Sequence, residues 1–200
     1  RQQAAFKVLF EQLEKHSIAS EIILVDWNPP IDRPPLKNIF SIQPHSKNVV
    51  VRYIEVPPDI HHKYQYSRDI PIHVAAGWNT GIRRARGEFI LPKSADTFYS
   101  NNVMKFLTRG SLDAQHVYRC DRVDISEYAF IQSIQNPSDL MSVENLPPLH
   151  RYKRPTSSPH LQVPNLHTDA CGDFILMHRD VWFQIGGFWE GDSVISAEVD

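Results

Sequence analysis

Asp96 is the carboxylate whose setting in the chain points most directly to chemistry. It follows Phe89-Ile90-Leu91, an apolar run of strand length, and before that run Ile72, Ala75, Ala76, Asn79, Ile82 and Ala85 recur at helical spacing until Gly87 marks a stop. A helix feeding a buried strand that ends on one acid sets that acid past the carboxyl end of a sheet, where open α/β sheets take their ligands. Such an acid suits a nucleotide held through Mg²⁺ or Mn²⁺, because these cations accept carboxylate oxygens and offset the charge of a diphosphate. A second acid, Asp26, closes the apolar run Ile22-Ile23-Leu24-Val25 and is followed by Trp27. Its carboxylate is placed to accept from a base or ribose while the indole walls the same pocket. Arg83, Arg84 and Arg86 share the helix before Asp96, and Arg83, nearest in phase to Asn79, is the one expected to meet a phosphate.

The remaining reactive side chains suggest less. His61-His62 and the separated His160 and His167 lack the helical i, i+4 spacing or the cysteine partners of a zinc site and read as solvated loop histidines, with His167 kept in view beside the Gly172-Asp173 turn. Cys120 and Cys171 read as unpaired core thiols rather than a disulfide framework. No G-x-G-x-x-G follows a strand, and neither G-x-x-x-x-G-K-[ST] nor G-x-S-x-G occurs, which sets aside a dinucleotide Rossmann turn, a P-loop and a hydrolase elbow.

These side chains must be held by an ordinary soluble core. The 200 residues are 42% hydrophobic and 22% charged, the composition of a single globular domain spanning 1–200. A formal charge of −2 gives no general field for nucleic acid, and no run of 18 apolar residues is present to span a membrane. Helix is expected at 2–15, where Phe6, Leu9, Phe10 and Leu13 share a face, strand at 20–26 and 49–55, helix at 71–86, strand at 88–93 and helix at 100–109. Residues 172–178 read as a further strand, 179–185 as a helix, and Gly186-Gly187 as a turn. This alternation predicts an α/β fold with a mostly parallel twisted sheet covered by helices. Prolines at 137, 147, 148, 155, 159 and 164 make 126–166 a long loop. The helical pattern begins at once, without a Met, so a first strand is expected ahead of Arg1 in the full protein, and the compartment is left open between cytoplasm and secretory lumen.

Four ordered blocks resemble the GT-A-type, family-2-like glycosyltransferases. They are Glu21 to Asn28, the block Asn79-x-Gly81-x-x-x-Ala85-x-Gly87-Glu88-Phe89-Ile90 leading to Ser94-Ala95-Asp96, Gly172 to Glu190, and the late acids Glu198 and Asp200. The resemblance implies a nucleotide-binding half at 1–110 and an acceptor-side half at 111–200, with the proline-rich loop over the acceptor cleft. It implies a nucleoside-diphosphate sugar as donor, contacted by Asp26, Trp27, Arg83, Ser94 and Asp96, and a hydroxyl-bearing acceptor contacted by Asp173. Asp96 corresponds to the second acid of the family's Asp-x-Asp motif and is the implied metal ligand, while Ser94 stands where the first acid would be. An inverting transfer needs a carboxylate to take the acceptor proton, which the resemblance assigns to Asp200, with Glu198 second. Ser94 keeps a rival open, a transferase-like domain that binds a nucleotide or partner without turnover. A nucleotidyltransferase of related fold is a further rival, whose glycine-rich loop would lie ahead of Arg1.

Overall fold

The computed structural model describes residues 2–40, 48–110, 112–120, 122–126 and 174–190, together with the backbone of 148–151. Helix α1 (Gln2–Lys15) buries Phe6, Phe10 and Leu13 as its periodicity requires. It closes at Ser17, whose φ of 51° turns the chain into β1 (Ser20–Trp27). Strand β1 runs parallel to β2 (Val49–Val56) in unbroken register from Ser20 opposite Val49 to Trp27 opposite Val56. Their connection holds the single helical turn α2 (Leu36–Ile39), which starts directly after Pro35. A second short turn, α3 (Pro58–His61), follows β2.

Helix α4 (Val74–Ile82) crosses β1, with Gly81 within 3.6 Å of Val25 and 4.0 Å of Ile23 if a Cβ is added to it. It is shorter at both ends than the expected 71–86. His73 is extended ahead of it, and past Ile82 the chain tightens into i→i+3 turns whose backbone is taken up by side chains of the strands. Arg52 donates to the Arg84 carbonyl at 2.8 Å, and the Arg86 amide donates to Glu21. The antiparallel run of α4 against β1 therefore sets His73 near the carboxyl end of the strand and Arg86 near its start.

Strand β3 is only Phe89–Ile90, because Pro92 offers no amide to extend the ladder. After it come α5 (Asn101–Leu107), capped by Ser100 accepting from the Val103 amide at 3.4 Å, then β4 (Tyr118–Arg119) and β5 (Val123–Ile125). Strand β6 (Pro148–Arg151) pairs antiparallel with β5, so a segment expected to be loop contributes a ladder. Strand β7 (Ile175–His178) lies between β3 and β4 and runs against both, and α6 (Arg179–Ile185) follows, ended by Gly186 at φ 78°. The fold is thus mixed α/β. Among the described residues one strand pair is parallel and three are antiparallel, which corrects the expectation of a mostly parallel sheet: β7 re-enters between two earlier strands in the opposite direction.

The main core joins Phe10 and Leu13 of α1, Val49, Tyr99, Met104 of α5, Phe174 and Leu176. A second cluster packs Ile82, Ile90, Met177 and Trp182, and the indole of Trp182 donates to the Ile90 carbonyl at 3.1 Å. No helix among the described residues is long and apolar enough to cross a membrane.

Candidate functional site

Asp26 is half-buried at the carboxyl end of β1, and its Oδ2 accepts the Leu36 amide at 2.9 Å. That bond ties the proline-rich connection to the strand end and engages one of the two carboxylate oxygens. Trp27 points into the opposite layer. It is 7% exposed, packs with Val56 and Ala76, and donates its indole N–H to His61 Nδ1 at 2.9 Å. Alternation along a strand sends neighbours to opposite faces, so Asp26 and Trp27 do not wall one pocket together.

Ser94 and Asp96 lie on a turn closed by the Thr97 amide donating to the Ser94 carbonyl at 3.4 Å. Asp96 is exposed. It does not cap α5, a task Ser100 performs itself. Arg83 stands at the end of α4 away from His73 and forms an ion pair with Glu190 at 2.9 Å, its side chain 52% exposed. Among the described residues no hydrogen bond or ion pair links Asp26, Arg83 and Asp96 with one another. Asp173, Glu198, Asp200, His160, His167 and Cys171 lie outside the described residues.

The best-built polar constellation is one that spacing did not reveal. The Glu190 carboxylate accepts from Asn79 Nδ2 at 2.6 Å, Arg83 Nη2 at 2.9 Å and the Tyr64 hydroxyl at 3.2 Å. Burial pushes this acid up, but the hydrogen bonds from Asn79 and Arg83, the charge of Arg83 and the Tyr64 hydroxyl outweigh it and hold Glu190 below the usual carboxylate value. The Tyr64 phenol is raised by burial and by the same carboxylate. Asn79, 1% exposed, also donates to the Phe188 carbonyl and accepts from the Phe188 amide, both at 2.8 Å, so one buried amide uses both its donors and its oxygen on the Gly186-to-Glu190 turn. A faint signal was present in the sequence: a polar Asn on the apolar face of a helix needs a buried partner.

A second unforeseen cluster surrounds Trp27. His61 is 1% exposed, not a solvated loop residue, and its Nε2 lies 2.8 Å from the Ser67 carbonyl. The rings of His73 and His62 lie 5.2 and 5.4 Å from it, and Tyr64 lies 4.8 Å from His73. Burial, then the neighbouring His61, lowers the His73 pKa.

Comparison with known proteins finds no matching family model, no matching curated protein and no matching solved structure. The chemistry of the site therefore rests on its side chains. Among the described residues no three His, Cys, Asp or Glu side chains come together as a cation site. Asp96 fits one class of cation all the same. Mg²⁺ and Mn²⁺ at a nucleotide take one or two protein carboxylates and complete their shell with phosphate oxygens and water, and an exposed acid on a turn beyond a strand is such a donor.

Proposed function

We propose that the chain binds a nucleoside-diphosphate sugar at the carboxyl end of β1 and transfers the sugar to a hydroxyl acceptor. The observation that carries this reading is Asp26, held at the carboxyl end of a parallel strand pair with one oxygen fixed by Leu36. In this reading Asp26 accepts from the base or ribose and the turn bearing Ser94 and Asp96 faces the diphosphate. A cation on Asp96 would offset charge on the leaving diphosphate. Asp200, or Glu198 in its place, takes the proton of the acceptor hydroxyl, and Asp173 orients that acceptor. Arg83 reaches a phosphate in this scheme only by leaving Glu190, so offsetting the phosphate charge would fall chiefly to a cation that Asp96 would hold.

The second reading, nucleotide binding without turnover, is supported by Ser94 in place of an acid and by the engagement of Arg83 with Glu190. A thermal-shift screen of the full chain against nucleoside diphosphates and their sugars, with and without Mn²⁺, tests both. A ligand at 100 times its dissociation constant adds about 2.7 kcal/mol of stability, which raises the midpoint of a domain of this size by about 5–11 °C. Cation-dependent stabilisation with release of nucleoside diphosphate supports transfer. Stabilisation without release supports binding alone, and no stabilisation by any nucleotide refutes both.

A further inference from the structure

His61 sits where only one protonation state completes its hydrogen bonds. Its Nδ1 accepts the Trp27 indole N–H, so Nδ1 carries no proton, and its Nε2 faces the Ser67 carbonyl, which only accepts. The neutral Nε2–H tautomer satisfies both. A second proton would set N–H against N–H and break the bond to Trp27. The same end of β1 is tied to the same segment again, through Asn28 Nδ2 donating to the Pro71 carbonyl at 3.1 Å.

Among the described residues the side chains in ring contact with His61 are Trp27, His62 and His73, none of them an acid. His62 stands on the same helical turn and His73 at the head of α4. From β1 the neighbour is an indole, since Asp26 turns its carboxylate to the Leu36 amide, and from β2 the packed side chain beside Trp27 is Val56. Tyr64 presents its ring, its hydroxyl being given to Glu190, which is already paired with Arg83. Among the described residues no carboxylate pairs with either the His61 or the His73 ring, and His73 Nε2 is buried without a hydrogen-bond partner.

We propose that His61 and His73 form a proton-operated clasp: its closed form holds both rings without a second proton, and acid favours an open form in which Trp27 is freed and the 57–73 segment is loosened from the end of β1. The lowered pKa of His73 has the sign this requires, since its neutral form is the one the closed structure favours. A group whose folded pKa is depressed lends stability above its unfolded value, about 6.5 for histidine, and loses it as pH falls below that. The contribution of His73 to the closed form is therefore fully present at neutral pH and is lost progressively as pH falls below about 6.5. The clasp concerns the strand end itself and holds whatever ligand that end takes.

Hydrogen exchange of the full chain at about pH 7.5 and about pH 5.5, corrected for intrinsic rates, tests it. The reporters are the Trp27 indole and the amides of His62, Tyr64 and Ile70, which bond within this segment, with the β1–β2 ladder as reference. One group that binds a proton only in the open form lowers protection about tenfold per pH unit below its open-state pKa, so with one or both rings held neutral by the closed form the parent should lose roughly tenfold to a hundredfold at these sites and little in the ladder. Glutamine at position 61 can accept from Trp27 and donate to Ser67 without titrating, so H61Q combined with H73Q should abolish the loss. Equal protection at both pH values in the parent, or the same loss in the double variant, overturns the proposal. Should the double variant fail to fold, imidazole ¹⁵N shifts in the parent decide. A ring that is Nε2–H at about pH 7.5 and takes its second proton only as the Trp27 indole bond is lost supports the clasp, and a ring that carries a proton on Nδ1 at about pH 7.5, or becomes doubly protonated with that bond intact, refutes it.

Discussion

Substituting alanine for Gly187 probes the junction between α4 and the Gly186-to-Glu190 turn more sharply than any change in a charged residue. Gly187 has φ 88°, and a Cβ there would lie 2.2 Å from Asn79 Oδ1 and 2.9 Å from its Cγ. The left-handed backbone alone costs an L-residue about 1–2 kcal/mol. Asn79 is 1% exposed and cannot retreat into solvent, so displacing it strands the Phe188 amide and carbonyl, for a further cost of about 1–3 kcal/mol. G187A should therefore lose about 2–5 kcal/mol in urea unfolding followed by tryptophan fluorescence. G186A supplies the control, because Gly186 shares the left-handed backbone at φ 78° yet nothing lies within 4 Å of its added Cβ. It should lose only the backbone component of about 1–2 kcal/mol. Removing the obstructing amide with N79A in the G187A background should reveal a coupling of about 1 kcal/mol or more. Equal destabilisation by G186A and G187A, or strict additivity of N79A with G187A, would refute the contact as described.

Glu190→Gln should flatten the acid limb of the stability curve. The folded pKa of Glu190 is depressed, so its contribution is present above the unfolded value and is lost as pH falls from about 4.5 downward; unchanged slope in that range would show that the acid is not engaged. Asp96→Asn should leave the unfolding midpoint within about 0.5 kcal/mol, as expected of an exposed turn residue, while removing the Mn²⁺-dependent part of nucleotide affinity by calorimetry. Asp26→Asn keeps an acceptor for the Leu36 amide but removes the charge, and should weaken nucleotide binding about tenfold, equivalent to about 1.4 kcal/mol, with the fold intact; undiminished affinity would confine Asp26 to anchoring the loop.

Local order was readable wherever periodicity and burial agree. Helix α1 spans the residues expected of it, and β1, β2 and α6 lie within one residue of expectation, because an apolar stripe or an apolar run leaves one way to hide itself. Strand direction was not readable, since Ile175-Leu176-Met177 pairs as readily one way as the other and its insertion between β3 and β4 is decided by packing over Trp182. The candidate site divides in the same way. Asp26 and Asp96 stand at a strand end and on a turn beyond a strand, which spacing can indicate. Trp27 was expected to wall a pocket and is instead sealed in by His61, because the partner that takes up its N–H comes 34 residues later. Arg83 was expected to meet phosphate and meets Glu190, 107 residues away, a distance over which spacing has no reach.

That same separation imposes an order on folding. Asn79 finds its partners only at Phe188 and Glu190, and β3 and β4 acquire the strand between them only when residues 175–178 arrive. At synthesis rates of about 5–20 residues per second, the helix bearing Asn79 waits on the order of 5–20 seconds for the turn that satisfies it. During that interval its buried face, the unpaired edge of β3 and the ring of Trp78, which later packs against Phe188, are open to other chains. The nascent protein is thus most exposed to misassembly while the chain between β4 and β7 is being made, and the arrival of β7 with the turn after α6 ends that exposure.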